Sequence, residues 1–149
     1  MTWSGVHIPD SSLNVLTCLS SLESLHLSSG FQDSWRHDWP IRHDTIISRL
    51  KPLRRLRRLA FTRDVYSYIR EGQLFEYASY LQLRDDAWDL HHQCMRAQAL
   101  AYAKDFPDLE FIHVGKISFK VSRVKNRIEL QVTDKQWFSW RRSMFGINH

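Results

Sequence analysis

The apolar positions of this chain fall into a six-position pattern that occurs three times in one register. The first copy is Leu13, Leu16, Leu19, Leu22, Leu25, Leu27 and the second is Ile47, Leu50, Leu53, Leu56, Leu59, Phe61. The third is Leu100, Ala103, Phe106, Leu109, Ile112, Val114. The copies are offset by 34 and then 53 residues, and within each the gaps are three, three, three, three and two. Gaps of three keep side chains on one helix face, and a gap of two keeps them on one face of a strand. Each copy therefore predicts a helix, a turn and a short strand. Repetition of that unit predicts a solenoid, in which neighbouring units bury each other's apolar faces.

The remaining elements follow from local signals. Ser11 or Ser12 is placed to cap the first helix, and Asp44 the second, which Pro52 stops. Strands centre on Leu25-His26-Leu27 and Leu59-Ala60-Phe61, and the stretch 31–42, with Trp35 and Trp39, reads as a loop. A tyrosine-rich insertion covers 65–83, where Gly72 interrupts any continuous helix. Asp85 or Asp86 opens the longest helical run, 87–104, whose Trp88, His92, Met95, Ala99 and Tyr102 are spaced by three and four. A third strand spans 109–114. Alternation at Ile117, Phe119, Val121 and again at Ile128, Leu130, Val132 predicts an antiparallel hairpin.

At the C-terminal end, Trp137, Phe138 and Trp140 are expected to fold back over the core. At the other end only Trp3, Val6 and Ile8 precede the first helix. This predicts an apolar patch there, used for self-association or for docking on further sequence. The expected organisation is a single domain over 1–149, with repeats near 13–30, 47–64 and 100–115 and a hairpin and cap at 116–145.

Leu22-x-x-Leu25-x-Leu27, Leu56-x-x-Leu59-x-Phe61 and Leu109-x-x-Ile112-x-Val114 resemble the strand segment of leucine-rich repeats. The stretches WPIRHDTIISRLKPLRRLRRLAFTRD and CMRAQALAYAKDFPDLEFIHVGK look like the C-terminal leucine-rich region of fungal F-box-type proteins. The resemblance implies an α/β fold, an irregular leucine-rich-repeat solenoid with parallel strands and outer helices, ended by the hairpin. It also implies a scaffold that recruits substrates to a ubiquitin ligase and performs no chemistry itself. The chain departs from the family at the position usually held by Asn, here Gly30, Asp64 and Ile117, and no F-box segment precedes the repeats.

Composition narrows the picture modestly. With 149 residues, 43% of them hydrophobic, the chain is long enough for one sizeable core. Lys and Arg exceed Asp and Glu by 21 to 16, a bias compatible with an acidic partner and requiring none. Cys18 and Cys94 are too few for a disulfide scaffold and fit a reducing compartment. MTWSGVHIPDSS lacks the basic leader and apolar core of a signal peptide, and no apolar run reaches spanning length. The expected location is cytoplasmic or nuclear, with no membrane partner.

Candidate chemistry is sparse. His91 and His92 do not converge on one helix face; His91 and Cys94 can share one, but two ligands do not make a tetrahedral site, and His113 or His26 would have to complete it across the fold. No nucleophile elbow, phosphate loop or dinucleotide fingerprint occurs, so neither an enzyme nor a cofactor is expected. The sharpest polar feature is the run Arg49, Lys51, Arg54, Arg55, Arg57 and Arg58. Inward leucines every third residue explain it as a solvated face, while Arg54, Arg55, Arg57 and Arg58 are also the candidates for binding phosphate, nucleic acid or an acidic partner. Tyr66, Tyr68, Tyr77 and Tyr80 mark the second candidate surface, because insertions between repeats often bind and tyrosine is enriched at interfaces. The expected function is a non-catalytic protein-interaction scaffold.

Overall fold

Leu25, Leu59 and Ile112 lie side by side in three laterally paired parallel strands. The computed structural model describes residues 2–5, 10–16, 18–29, 39–40, 42–62, 64–70, 73–78 and 85–133. In chain order the elements are β1 (Thr2–Gly5), α1 (Asp10–Leu16), β2 (Ser24–Ser29), β3 (Trp39–Pro40), α2 (His43–Leu50) and β4 (Arg58–Thr62). They continue with β5 (Asp64–Arg70), β6 (Gln73–Ala78), α3 (Asp85–Asp105), β7 (Phe111–Val114), β8 (Ile117–Val124) and β9 (Arg127–Val132). One sheet has the order β1-β2-β4-β7-β8-β9, parallel from β1 to β7 and antiparallel from β7 to β9. A separate three-stranded sheet is ordered β3-β5-β6.

The triple spacing of the apolar pattern has a direct backbone cause. Leu19 N bonds to Leu16 O at 3.0 Å, and Leu22 N to Leu19 O at 2.9 Å. Leu53 N repeats this on Leu50 O at 2.8 Å, Leu56 N on Leu53 O at 3.2 Å, and Leu109 N on Phe106 O at 3.1 Å. Such bonds between residues three apart tighten the chain to three residues per turn and keep every third side chain on one line. Each helix therefore runs into its strand through a tight turn whose leucines still face inward. Leu53, Leu56 and Leu109 are fully buried.

The core lies between the helices and one face of the larger sheet. Leu13 and Leu16 of α1, Ile46 and Leu50 of α2, and Met95, Ala99, Tyr102 and Ala103 of α3 meet Leu25, Leu27, Leu59, Phe61, Ile112, Val114, Phe119 and Val121. Of the repeated positions, Leu19, Leu22, Ile47 and Leu100 are only partly buried, and the others are in the core.

The solenoid expectation is overturned by the sheet. The molecule is a small α/β domain whose mixed sheet does not curl into a solenoid. A solenoid requires each unit to add one strand of the same direction and to touch only its neighbours. Here β7, β8 and β9 form an antiparallel meander, and α3 packs across all three instead of backing one strand. The insertion contributes β5 and β6 to a second sheet, whose third strand, β3, comes from the stretch between the first and second units. Parallel strands covered by helices on one face demand the same apolar spacing as a leucine-rich repeat, so the pattern was compatible with both.

Smaller corrections have local causes. Arg42, not Asp44, occupies the position preceding α2 and makes no side-chain cap; Asp44 sits in the first turn, where the helix dipole favours a carboxylate. The tyrosine-rich insertion contains the hairpin β5–β6, with Gly72 between its strands. At the N-terminus, β1 pairs in parallel with β2, from Thr2↔His26 to Gly5↔Ser29. The chain's own N-terminal segment thus takes the strand edge that the apolar pattern leaves uncovered. Trp137, Phe138 and Trp140 lie outside the described residues.

Two tight turns build the meander. Gly115 and Lys116 have φ of 55° and 67°, and Lys125 and Asn126 have 47° and 64°. Two successive left-handed residues are what a two-residue hairpin turn needs to match strand twist. Gly115 is constrained further, since a Cβ there would collide with Sδ of Met95 and lie 2.8 Å from Cε1 of His91.

Candidate functional site

At the edge where the parallel strands begin, the backbone carries the hydrogen bonding from strand to strand. Glu23 O accepts from Arg57 N and Arg58 N at 2.8 and 2.9 Å, and Arg57 O accepts from Glu110 N and Phe111 N at 2.8 and 3.1 Å. This fixes Glu23, Arg57 and Glu110 in one cross-strand row, each two residues before Leu25, Leu59 and Ile112. All three stand one residue before their strands begin. The result is a carboxylate–guanidinium–carboxylate row along the start of the parallel sheet.

Arg57 holds the row together. Its Nε donates to Glu110 Oε1 at 3.1 Å, its Nη2 donates to the same oxygen, and Nη1 lies 3.9 Å from Glu23 Oε2. The bond to Glu110 and its charge, with smaller help from Glu23 and Asp108, hold the Arg57 pKa above its usual value. All three side chains remain substantially exposed, so these pairs order the surface more than they stabilise the fold.

Arg123 reaches the same edge from β8 and completes the end of α3. Ala103 O would normally accept from the residue four positions on, but that residue is Pro107, which has no N–H. Arg123 Nη2 takes its place, donating to Ala103 O at 2.9 Å and to Phe106 O at 2.8 Å, while Nη1 donates to Leu109 O at 2.8 Å. A guanidinium at a helix C-terminus also meets the negative end of the helix dipole.

Around these groups opens a cleft of about 480 Å³, lined by Glu23, Arg55, Arg57, Pro107, Asp108, Glu110 and Arg123. Three cations and three carboxylates line it, so the floor is close to neutral. Lys51, which follows α2, pairs with Asp105 of α3 at 3.1 Å.

Of the predicted binding residues, the structure brings only Arg55 and Arg57 into this cleft. Arg54 is exposed on the same turn, and the half-buried Arg58 approaches Ser24 Oγ at 3.5 Å from Nη1. Tyr66 and Tyr68 fall on β5 and Tyr77 on β6, where the register pairs Tyr66 with Tyr77 and Tyr68 with Phe75. Tyr80 lies outside the described residues. Glu23, Asp108, Glu110 and Arg123 are the members that the sequence reading missed. Three of the cleft's charges carried a usable signal: Glu23, Arg57 and Glu110 occupy the same position in each repeat, directly after Leu22, Leu56 and Leu109.

The histidines are engaged elsewhere. His91 Nε2 bonds to Gly115 O at 2.7 Å, and burial pushes this imidazole's pKa down. His43 Nδ1 shares a 2.9 Å bond with Tyr102 Oη and stacks edge-on against Phe61; burial lowers its pKa to about 4. His26 and His113 occupy the opposite face of the sheet, in one row with Ala60 between them, and bond to Thr62 Oγ1 and Ser118 Oγ, each at 2.9 Å. That face is not the one α3 covers, so neither completes a site with His91. Among the described residues no three His, Cys, Asp or Glu side chains converge as metal ligands. No helix among the described residues is long and apolar enough to cross a membrane.

Compared with known proteins, the chain matches no family model, no curated protein and no solved structure.

Proposed function

We propose that this chain is a non-catalytic protein-binding module that engages its partner through the mixed-charge cleft. The observation that carries this reading is the cleft itself: open, polar, and lined by both signs of charge on side chains anchored to the first hydrogen bonds of a parallel sheet. Charges arranged in this way select a partner by register and steer its approach, which is the usual role of the polar rim of an interface. Three carboxylates in the cleft, beside the C-terminal end of α3, disfavour a phosphate-rich ligand there. The narrower role, substrate recognition for a ubiquitin ligase, rests on the resemblance to F-box-type proteins alone.

One observation favours a second reading, a basic module for nucleic acid or phosphate. Arg54 and Arg55 are exposed and make no ion pair or side-chain hydrogen bond among the described residues. A photo-crosslinking residue at position 54, expressed in the native cells, separates the two readings. The expected result is capture of a protein that is lost in the R55E/D108R chain. Tight, steeply salt-dependent binding of an oligouridylate, abolished by R54E/R55E and without charge-dependent protein capture, would overturn the proposal.

A further inference from the structure

The charges in the cleft are not equally available. Arg57 is held by Glu110 and Glu23 together. Arg123 donates three hydrogen bonds to main-chain carbonyls around the end of α3. Glu110 is correspondingly occupied by Arg57, and Glu23 is paired with it more loosely, at 3.9 Å. Two lining side chains remain, Arg55 and Asp108; both are exposed, and neither has an ion pair or side-chain hydrogen bond among the described residues. Among the described residues the cleft therefore offers one unpaired cation, and one carboxylate that makes no ion pair and only weakly attracts Arg57 through space, on a floor whose other charges cancel.

From this we infer that the cleft receives a peptide segment of a partner protein that carries an acidic and a basic side chain close together. The acidic side chain pairs with Arg55 and the basic one with Asp108. The inference rests on the protein-binding reading above and specifies the chemistry of the partner. A ligand of a single sign gains at one of these residues and is repelled at the other, whereas a segment of both signs gains at both. A small free zwitterion is disfavoured because exposed charge pairs in an open cleft are each worth little. A protein segment gains the rest of its affinity from the surface around the cleft. The length of the cleft between Arg55 and Asp108 selects the spacing of the two charges in the segment.

The test uses capped synthetic decapeptides on an otherwise neutral background, titrated into the full chain and followed by amide chemical shifts. One set carries Asp and Lys at spacings of one, two or three residues, and two controls carry only the Asp or only the Lys. The mixed peptide of matching spacing is expected to shift the amides of Glu23, Arg55, Asp108 and Glu110. It should bind about five-fold tighter than either control, the factor that one exposed pair at the upper end of its range supplies. In R55E the mixed peptide should lose its advantage over the Lys-only control, and in D108R its advantage over the Asp-only control. Equal or tighter binding of a single-sign peptide overturns the inference, as does the absence of any shift in the cleft with every peptide. If these titrations fail while position 54 still captures a protein in a charge-dependent way, the protein-binding reading stands and only the mixed-charge segment is refuted. If both fail, both fall.

Discussion

Acidification should destabilise this fold through one buried side chain, His43. The ring is 8% exposed, wedged edge-on between Phe61 and Tyr102 with ring centroids 5.6 and 5.7 Å away. Burial lowers its pKa from 6.5 to about 4. Between those values the unfolded chain binds a proton that the folded chain refuses, so stability falls as pH drops through this window. Above pH 6.5 both states hold the ring neutral and its contribution is full; below about 4 that contribution is gone. A shift of this size corresponds to about 3 kcal/mol, accrued at up to about 1.4 kcal/mol per pH unit. Urea unfolding at half-unit steps from pH 8 to pH 4 measures the slope. The control is H43F/Y102F, which removes the imidazole and its hydroxyl partner together, so that neither is left without the other. The other ionisable side chains are common to both proteins, so the difference between the two curves isolates His43. Parallel curves, differing by less than about 0.5 kcal/mol between pH 7 and pH 4.5, would refute the reasoning.

Two further substitutions test the packing around the site. Arg123→Met should lower stability by about 2 kcal/mol in thermal or urea unfolding, because Ala103 O loses the donor that Pro107 cannot supply and the end of α3 loses a cation; a cost under about 0.5 kcal/mol would show that water replaces the guanidinium. Gly115→Ala should cost about 1–3 kcal/mol from left-handed strain and the collision with Met95, and the cost of the same change measured in an M95A background should fall only by the part due to the collision.

Much of the fold was legible in the chain, but its closure was not. The repeated register placed β2, β4 and β7 correctly, because the backbone bonds at Leu16–Leu22 and Leu50–Leu56 hold every third residue on the same side. It could not distinguish a solenoid from a flat mixed sheet, because both bury the same positions against helices. What separates them is the reach of α3 across the meander, which leaves no periodic trace; the antiparallel hairpin after β7 is itself legible in the alternation at 117–121 and 128–132. The strand β1 escaped because TWSG shows no alternation of its own. The hairpin β5–β6 has its sequence signal in its tyrosines, which are good strand formers. In the site, Arg57 was visible as one cation among six. Its neighbours Glu23 and Glu110 share its position in the repeat, a signal that becomes a row once the lateral register of three strands is known. Arg123 had no sequence signal, since its partners are carbonyl oxygens.

The same register has a consequence for the order in which the sheet can assemble. Val114 pairs with Ile117 and Val124 with Arg127, so each meander contact closes only a few residues of chain, and α3 directly precedes the meander. Leu25 reaches Leu59 across 34 residues, and Leu59 reaches Ile112 across 53. Closing the longer loops costs on the order of 2 kcal/mol more chain entropy than closing a tight turn, before any side chain is buried. The C-terminal half thus gathers its contacts cheaply, and Arg96 of α3 fastens it by donating to Leu130 O of β9 at 3.0 Å. The parallel half, including the row that carries the cleft, has the larger closure cost to meet and is expected to form on that template.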